Sequence, residues 1–302
     1  MRILTINRIA LGLALLCAAP ASAQLKVDRK VPVVTDGFIR VEVHSGNVRV
    51  QGWDRDTVWI RGTVFEPPGE KLVIAPGPRG AKIALWSLEE AKVKPSDLTI
   101  LVPLKSRVWI KTQSANAVVT GVQGGVDITT VSGEATVQGN PNELYVESMG
   151  GKLNLDVTTR SLRAKTGTGD IVARGTTDEL LLSTVGGRIW ALDTRSTQAR
   201  IESIDGNIYY SGDLAWPGRL ELINHSGDVE IAIGPQASAQ FLITTIDGVI
   251  RDEYGLKAKE SVTKMGRHFS FQLTASPVLE AEIRNFKGST ILRKAGVKKV
   301  AG

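Results

Sequence analysis

The sequence predicts an all-β protein in which short strands recur about every 18 residues and stack as a single-chain parallel β-solenoid. Three observations favour this fold: a glycine at regular spacing, apolar residues alternating with polar ones around it, and like residues in like positions. In the repeat 162–175, Leu162 and Ala164 alternate with polar neighbours, a glycine turn follows, and the alternation resumes at Ile171 and Ala173. This pattern is typical of strand, turn and strand.

The turn glycine sets the register of the repeats, and Ala115 stands in its column one period before the first copy. The copies are Gly133, Gly151, Gly169, Gly187, Gly206, Gly227 and Gly248. Positions seven and five before the glycine, and two and four after it, are apolar in essentially every repeat. Like residues in each column favour a solenoid over an antiparallel meander, because successive rungs of a solenoid place like on like.

A column of hydroxyl or amide side chains stands three residues before the glycine. Its members are Thr112, Thr130, Ser148, Thr166, Thr184, Ser203, Asn224 and Thr245. We expect these side chains to bond backbone groups where the strand ends, because a catalytic nucleophile would not recur in every repeat.

The residue after the glycine is outward and alternates in charge through Glu134, Lys152, Asp170 and Arg188. Rungs about 4.8 Å apart would bring each acid beside a base. Exposed pairs of this kind contribute little stability, on the order of 0 to 1 kcal/mol each, so we expect them chiefly to mark the register.

The array is less regular towards both ends. Residues 37–104 are predicted as irregular rungs, 105–250 as regular rungs, 251–294 as a short cap excursion with one last rung, and 295–302 as a basic tail. A cap is expected because an open end would expose apolar core and unpaired strand edges. The cluster Arg293, Lys294, Lys298 and Lys299 is predicted to be a solvated terminus.

Residues 1–23 have the charged start, apolar run and small-residue site of a secretory signal peptide. We expect it to be cleaved and the chain to reach the periplasm or the cell surface, with no transmembrane span. Cys17, the only cysteine, lies in this segment, so no disulfide is expected. Without Arg2 and Arg8, 35 of the 37 basic residues remain against 31 acidic ones, a net charge of +4 that does not favour nucleic-acid binding.

The segments Val41–Asp54, Ile100–Pro103 and Ala281–Lys294 resemble a family of bacterial exported β-strand-repeat proteins, the putative adhesins, a domain of otherwise unknown function. The resemblance covers roughly 37–294. It implies a right-handed parallel β-helix, and it brings no catalytic residues to carry over.

Outward aromatic residues are the candidate ligand or partner contacts. Trp190 and Tyr209 fall on consecutive rungs, and Trp109 and Trp59 also lie on outward parity between apolar neighbours. Exposed aromatic rings can bind sugars or protein partners. The alternative is that stacked aromatics only stabilise a sheet face.

The hypothesis from sequence is an exported, non-enzymatic β-repeat protein, a putative adhesin or envelope binding or scaffold module that acts through an extended solenoid face. Its partners would be envelope polysaccharide or another envelope or surface protein. No cofactor or metal is expected, since His44, His225 and His268 are scattered and predicted to be surface or turn residues.

Two alternatives stay open. One is a purely structural envelope protein without a saturable ligand. The other is a polysaccharide-active hydrolase or lyase on a parallel β-helix, which would need paired carboxylates across a groove. The outward acids are instead interleaved with bases, as Glu147 is with Lys165, and no catalytic residue is assigned.

Overall fold

The computed structural model describes residues 24–66, 70–86, 93–255 and 258–295. Over these residues the protein is all-β, with 24 strands and no helix. Within the same ranges, no helix offers the length and apolarity that crossing a membrane would require. The predicted signal peptide, and all of the predicted basic tail except Ala295, lie outside the described residues.

The strands are mostly short, and three consecutive ones reach 14 or 15 residues. They are β1 (Gln24–Pro32), β2 (Phe38–Val43), β3 (Gly46–Trp53), β4 (Thr57–Phe65), β5 (Val73–Gly77), β6 (Gly80–Leu85), β7 (Ser96–Pro103), β8 (Arg107–Thr112), β9 (Asn116–Thr120), β10 (Gly125–Thr130), β11 (Ala135–Gly139), β12 (Glu143–Ser148), β13 (Leu153–Thr166), β14 (Ile171–Thr184), β15 (Ile189–Ser203), β16 (Ile208–Ser211), β17 (Gly218–Asn224), β18 (Val229–Ile233), β19 (Ala239–Thr245), β20 (Ile250–Asp252), β21 (Lys259–Thr263), β22 (Gly266–Gln272), β23 (Leu279–Asn285) and β24 (Thr290–Lys294).

All 24 strands belong to one hydrogen-bonded sheet, and its pairings follow two rows. The first row runs in the order β5, β6, β2, β8, β10, β12, β13, β14, β15, β17, β23, β19, β22, β21. The second row runs in the order β1, β4, β7, β3, β9, β11, β13, β14, β15, β16, β18, β24, β20. The long strands β13, β14 and β15 contribute to both rows. We call one strand from each row, with the turn between them, a rung.

The rungs pair in parallel and in the register of the sequence columns. Leu144 faces Leu162, and Leu162 faces Leu180, each one period away. Among the described residues, antiparallel pairing occurs only near the two ends of the array. Like residues therefore lie on like, as the repeated columns predict.

The inward columns of both rows meet in one apolar core. Val108 and Ile110 from the first row belong to the same buried cluster as Ala117 and Val119 from the second. The residues between them point outward, so most of the short strands bury one face and leave the other partly or fully exposed. Burial of these aliphatic side chains is the main source of stability, at roughly 25 cal/mol per Å² of apolar surface.

The hydroxyl and amide column bonds the turns as the sequence predicts. Seven of these side chains accept a hydrogen bond of 2.7 to 3.4 Å from the backbone N–H of the glycine three residues later. They are Thr130, Ser148, Thr166, Thr184, Ser203, Asn224 and Thr245. Thr112, whose repeat has Ala115 in place of glycine, donates instead to the hydroxyl of Thr130 at 2.8 Å.

The turn glycine is required by the stacking of rungs. A Cβ added at Gly151 would collide with the carbonyl oxygen of Gly133, and one at Gly169 with that of Gly151. Neither residue has a positive φ, so their backbone conformation is open to other residues. The neighbouring rung excludes a side chain here because its carbonyl occupies the space of the Cβ.

The first departure from the period comes from one inserted residue. Arg174 faces Leu192 but Gly175 faces Thr194, which leaves Asp193 as the extra residue of a bulge. Asp193 has a φ of 51°, in the left-handed region that Asp and Asn tolerate better than most residues. The bulge lengthens this repeat while the pairing on both sides stays in register.

The order of rungs in space differs from their order in the chain at both ends. The last rung, β23 and β24, lies between the rung of β17 and β18 and the rung of β19 and β20. At the other end β2 and β3 lie between the rung of β6 and β7 and the rung of β8 and β9. Antiparallel strands cover the outer edges of β7, β6 and β19. In the chain the last rung follows the predicted cap excursion, and in space it lies second from the end and is bonded on both edges.

The outward charged column forms only part of its predicted pairing. Arg188 and Asp170 form an ion pair of 3.1 Å, and the Arg188 backbone N–H also donates to Asp170 at 2.8 Å. Within the described ranges, neither Glu134 nor Lys152 makes an ion pair through its side chain. Arg293 and Lys294 also differ from the prediction, because they lie on β24, where Arg293 pairs with Glu230 at 2.8 Å.

Candidate binding site on the first row of strands

The four aromatic residues predicted as contacts lie in three separate places. Trp59 is on β4 at the N-terminal end of the array, and Trp109 is on β8 in the first row. Trp190 and Tyr209 face each other on β15 and β16 in the second row. The structure brings only this last pair together.

Trp59 connects two strands at the end of the array. Its indole N–H donates to the Asp28 carboxylate at 2.7 Å, and the cationic groups of Lys30 and Arg61 lie 4.5 and 4.0 Å from its ring centroid. These contacts join β1 to β4 and occupy the indole. Trp59 therefore has a structural role at this end of the array.

The Trp190 and Tyr209 pair is half-buried among charged neighbours. The Arg188 guanidinium lies 4.7 Å from the Trp190 ring centroid. Burial raises the pKa of the Tyr209 hydroxyl, and the charges of Glu230 and Asp193 add to this against the opposing effect of Arg293. Tyr209 is thus an uncharged hydrogen-bonding group at neutral pH.

A second group of side chains surrounds Trp109. In the first row Trp109 faces Asp127 on β10, and Asp127 faces Tyr145 on β12. Glu147 follows two residues after Tyr145 on the same outward side. We call Trp109, Asp127, Tyr145 and Glu147 the Trp109 site. Adjacent strands are about 4.8 Å apart, so its three aligned residues span about 10 Å.

Asp127 is the least satisfied group of this site. Its side chain is half-buried, and its Oδ1 atom is shielded from solvent with no hydrogen-bond partner among the described residues. Burial raises the pKa of the Asp127 carboxyl, and the charge of Glu147 raises it further. A shielded carboxylate oxygen without a donor is costly, so a ligand hydroxyl or amine that donates to it would be stabilised.

Tyr145 and Glu147 form the other half of the site. The Tyr145 hydroxyl donates to the Glu147 carboxylate at 2.5 Å. This hydrogen bond raises the pKa of Tyr145 to about 12, with further contributions from burial and from the charges of Glu147 and Asp127. Glu147 faces Lys165 across the strands, but the hydrogen bond that its carboxylate accepts comes from Tyr145.

The surface continues along the first row on both sides. On one side the Arg40 guanidinium lies 4.5 Å from the Trp109 ring centroid. On the other, a shallow depression of about 480 Å³ has Arg163, Leu181 and Arg200 among its lining residues. Arg200 pairs there with Glu221 at 2.7 Å. The aromatic and acidic end of this face thus adjoins an apolar patch framed by ion pairs.

The described residues contain no group of three or more His, Cys, Asp or Glu side chains arranged to hold a metal ion. His225 is exposed, and His268 bonds Thr244 and Thr263. His44 lies at a turn, but it is buried and packs against Trp86 with ring centroids 5.2 Å apart. His44 is therefore a turn residue, as predicted, but its side chain is buried rather than at the surface.

Asp127 and Tyr145 were not identified from the sequence. The sequence pattern that could have identified them is the column six residues before the turn glycine. Trp109, Asp127 and Tyr145 occupy this column in three successive repeats. A column that varies between repeats while its neighbours stay apolar is where a site can be found in such an array.

Neither a known family model nor a curated protein sequence matches the chain. Among solved structures, a putative lipid binding protein from Parabacteroides distasonis is 14% identical, with 89% of this chain and 96% of that chain covered and a TM-score of 0.44. A putative adhesin from Bacteroides fragilis is 12% identical, with coverage of 90% and 98% and a TM-score of 0.40. A putative cell adhesion protein from Clostridium sporogenes is 9% identical, with coverage of 89% and 100% and a TM-score of 0.26. Putative adhesins are thus among the proteins that this chain resembles.

Proposed function

We propose that this protein is a non-enzymatic binding module that holds envelope polysaccharide on the outward face of the first row, at the Trp109 site. The observation that carries the proposal is the shielded Oδ1 atom of Asp127, which has no donor among the described residues and lies between Trp109 and Tyr145.

The chemistry of the site suits a neutral sugar chain. Aromatic rings offer apolar faces on which sugar rings can stack, while carboxylates accept hydrogen bonds from sugar hydroxyls. Asp127 supplies an unused acceptor, and Tyr145 is held in position by Glu147. A polyanionic glycan would fit less well, because two carboxylates lie at the centre of the site.

The wider setting of the proposal follows from the repeats and from residues 1–23. We propose that the rungs form a parallel β-solenoid, right-handed as the family resemblance implies, which presents the first row as an extended face. The parallel, in-register pairing of like residues supports this architecture. The signal-peptide pattern of residues 1–23 supports export to the periplasm or the cell surface.

Binding to purified envelope polysaccharides, measured by calorimetry and by a glycan screen, tests the proposal. Trp109→Ala and Asp127→Asn should each weaken binding by about tenfold or more, the loss of one stacking contact or one charge-assisted hydrogen bond. Trp190→Ala with Tyr209→Ala is the matched control on the second row and should leave binding unchanged.

The same measurements distinguish this proposal from a binding face on the second row, from a protein partner and from a purely structural role. If only the Trp190 and Tyr209 variant weakens binding, the binding face is the second row and the Trp109 site has no role. Saturable capture of an envelope or surface protein, with no glycan binding, would replace the polysaccharide as partner. No saturable ligand of any kind would leave a purely structural protein.

A polysaccharide hydrolase or lyase is the second candidate, and the raised pKa of Asp127 beside Glu147 is the observation that favours it. A carboxyl that stays protonated to higher pH can serve as a general acid while its neighbour remains ionised. Release of reducing ends or of unsaturated sugars, abolished by Asp127→Asn, would support this candidate. Binding without such release would support the first.

A further inference from the structure

A line of apolar side chains follows the turns that connect the two rows. The residue two positions before the turn glycine is Val131, Met149, Gly167, Val185 and Ile204 in successive rungs, a set we call the apolar ridge. Met149 is 67% exposed, and Val185 and Ile204 are each 49% exposed. Single exposed aliphatic residues are ordinary, but exposed aliphatic residues aligned on neighbouring rungs mark an interaction surface.

The ridge is held straight by backbone hydrogen bonds between the turns. The Gly167 N–H donates to the Met149 carbonyl at 3.1 Å, and the Val185 N–H donates to the Gly167 carbonyl at 3.0 Å. At about 4.8 Å per rung, the ridge from Val131 to Ile204 is about 19 Å long. Gly167 carries no side chain, so the ridge is lowest directly beside Met149, its largest and most exposed member.

Size complementarity identifies what can cover this ridge. If a second copy lies against it in the opposite direction, with a two-fold axis between the levels of Met149 and Gly167, each Met149 lies over Gly167 of the other copy, where no side chain stands. The same axis places Val131 against Val185. Ile204 falls opposite Gln113 and outside this pairing, so the part of the ridge from Val131 to Val185 is complementary to itself.

The charged column beside the ridge has the same symmetry. Glu134, Lys152, Asp170 and Arg188 alternate in sign along four rungs. The two-fold axis brings Glu134 opposite Arg188 and Lys152 opposite Asp170, so every contact joins opposite charges. Within one chain only Asp170 and Arg188 pair, and no ion pair of Glu134 or Lys152 is found among the described residues.

We propose that the apolar ridge is the interface of a two-fold symmetric dimer of this chain, with the stacks antiparallel. An isologous contact of this kind buries the same patch on both copies and closes on itself. The facing part of the ridge is only four turns long, so the dimer belongs to the weak class that buries less than about 1,200 Å² in total. This interface is independent of the Trp109 site, which lies on the first row.

Sedimentation equilibrium of the purified protein, from about 1 µM to about 1 mM, tests the dimer. The expected result is a mass that rises with concentration towards that of two chains. Met149→Glu should weaken dimerisation by at least about tenfold, because it puts a charge into the apolar contact. Leu242→Glu, an exposed apolar residue on β19 away from the ridge, is the control and should leave the dimer unchanged.

A charge exchange tests the orientation. Glu134→Arg and Arg188→Glu should each weaken the dimer about tenfold, since each creates two like-charge contacts across the axis. The double variant should have a dimer dissociation constant within about threefold of the wild-type value, although it removes the ion pair of Arg188 with Asp170 inside each chain. Recovery therefore reports the contact between copies.

Cysteine cross-linking provides the geometric check, in a Cys17→Ser background that removes the only native cysteine. Thr168→Cys lies next to the axis and should form a disulfide-linked dimer on oxidation. Thr176→Cys, also exposed but on the other side of the rung, where β14 passes from the second row to the first, should stay monomeric. A protein that is monomeric up to about 1 mM, or a dimer indifferent to Met149→Glu, overturns the proposal. A monomer whose adsorption to lipid vesicles requires Met149 overturns it also and assigns the ridge to a membrane surface.

Discussion

The backbone N–H of Ser289 donates a hydrogen bond of 2.7 Å to the carboxylate of Asp228, which lies 61 positions earlier in the chain. This bond joins the turns that immediately precede β18 and β24, two strands that pair in parallel in the second row. The turn glycines stack in the same order, with Gly288 between Gly227 and Gly248. A Cβ at Gly288 would collide with the carbonyl oxygen of Gly227, and one at Gly248 with that of Gly288. The C-terminal rung is therefore an internal part of the array.

Removal of residues 279–302 should abolish cooperative folding. The deletion takes away β23 and β24, which leaves the facing edges of β17 and β19 unpaired and opens the core between them. Thermal unfolding followed by circular dichroism, with light scattering for aggregation, measures this. A deletion of 296–302 alone is the control and should unfold like the full chain; equal behaviour of the two deletions would contradict the inserted rung.

Two adjacent glycines should respond in opposite ways to alanine. Gly187→Ala should lower the free energy of unfolding by about 1–3 kcal/mol or more, because the new Cβ meets the Gly169 carbonyl oxygen. A Cβ added at Gly186 has nothing within 4 Å, and Gly186 has no positive φ, so Gly186→Ala should be neutral or stabilising by up to about 1 kcal/mol. Urea unfolding checks both, and a similar loss at the two positions would rule out the stacking explanation.

Loss of a column hydroxyl should destabilise a turn without changing the shape of the side chain. Thr166→Val leaves the Gly169 N–H buried without the acceptor that it now bonds at 3.0 Å, so the free energy of unfolding should fall by about 1–3 kcal/mol. Thr166→Ser keeps the oxygen, as Ser148 shows naturally in the preceding rung, and should lose less. A loss for Thr166→Ser as large as that for Thr166→Val would contradict the hydrogen bond as the main contribution, because Ser keeps the oxygen and loses only the methyl group.

The Asp127 carboxyl should make the protein less stable as pH rises. Burial, with the added charge of Glu147, raises its pKa in the folded state, so the folded protein binds the proton more tightly than the unfolded chain does. Its destabilising contribution is absent below the unfolded pKa, grows as pH rises through the folded pKa, and is complete above it. Asp127→Asn should therefore unfold at higher urea than the wild type at pH 7, and the difference should shrink towards acid pH. A difference that does not vary with pH would contradict the raised pKa.

The repeat period could be recognised because each column meets the same environment in every rung. Leu144, Leu162 and Leu180 are all buried for one reason, and Thr130 and Thr166 make the same bond to a glycine. The site could not be predicted as well, because the burial of an outward residue depends on its neighbours in other rungs. Asp127 is half-buried where Trp109 and Tyr145 flank it on the neighbouring strands, and Trp190 and Trp109 lie on different rows despite equal outward parity.

The sequence by itself determined the strands, the inward columns and the turn bonds, since these follow from a local period that every repeat restates. Only the tertiary structure decided the order in which the rungs stack. Every rung offers its neighbours similar backbone donors, acceptors and small apolar side chains, so the pattern permits many orders. At each end of the array the second position is filled by the rung nearest the chain terminus, β2 and β3 at one end and β23 and β24 at the other. Antiparallel strands cover the edges beyond these positions, where the parallel stacking stops.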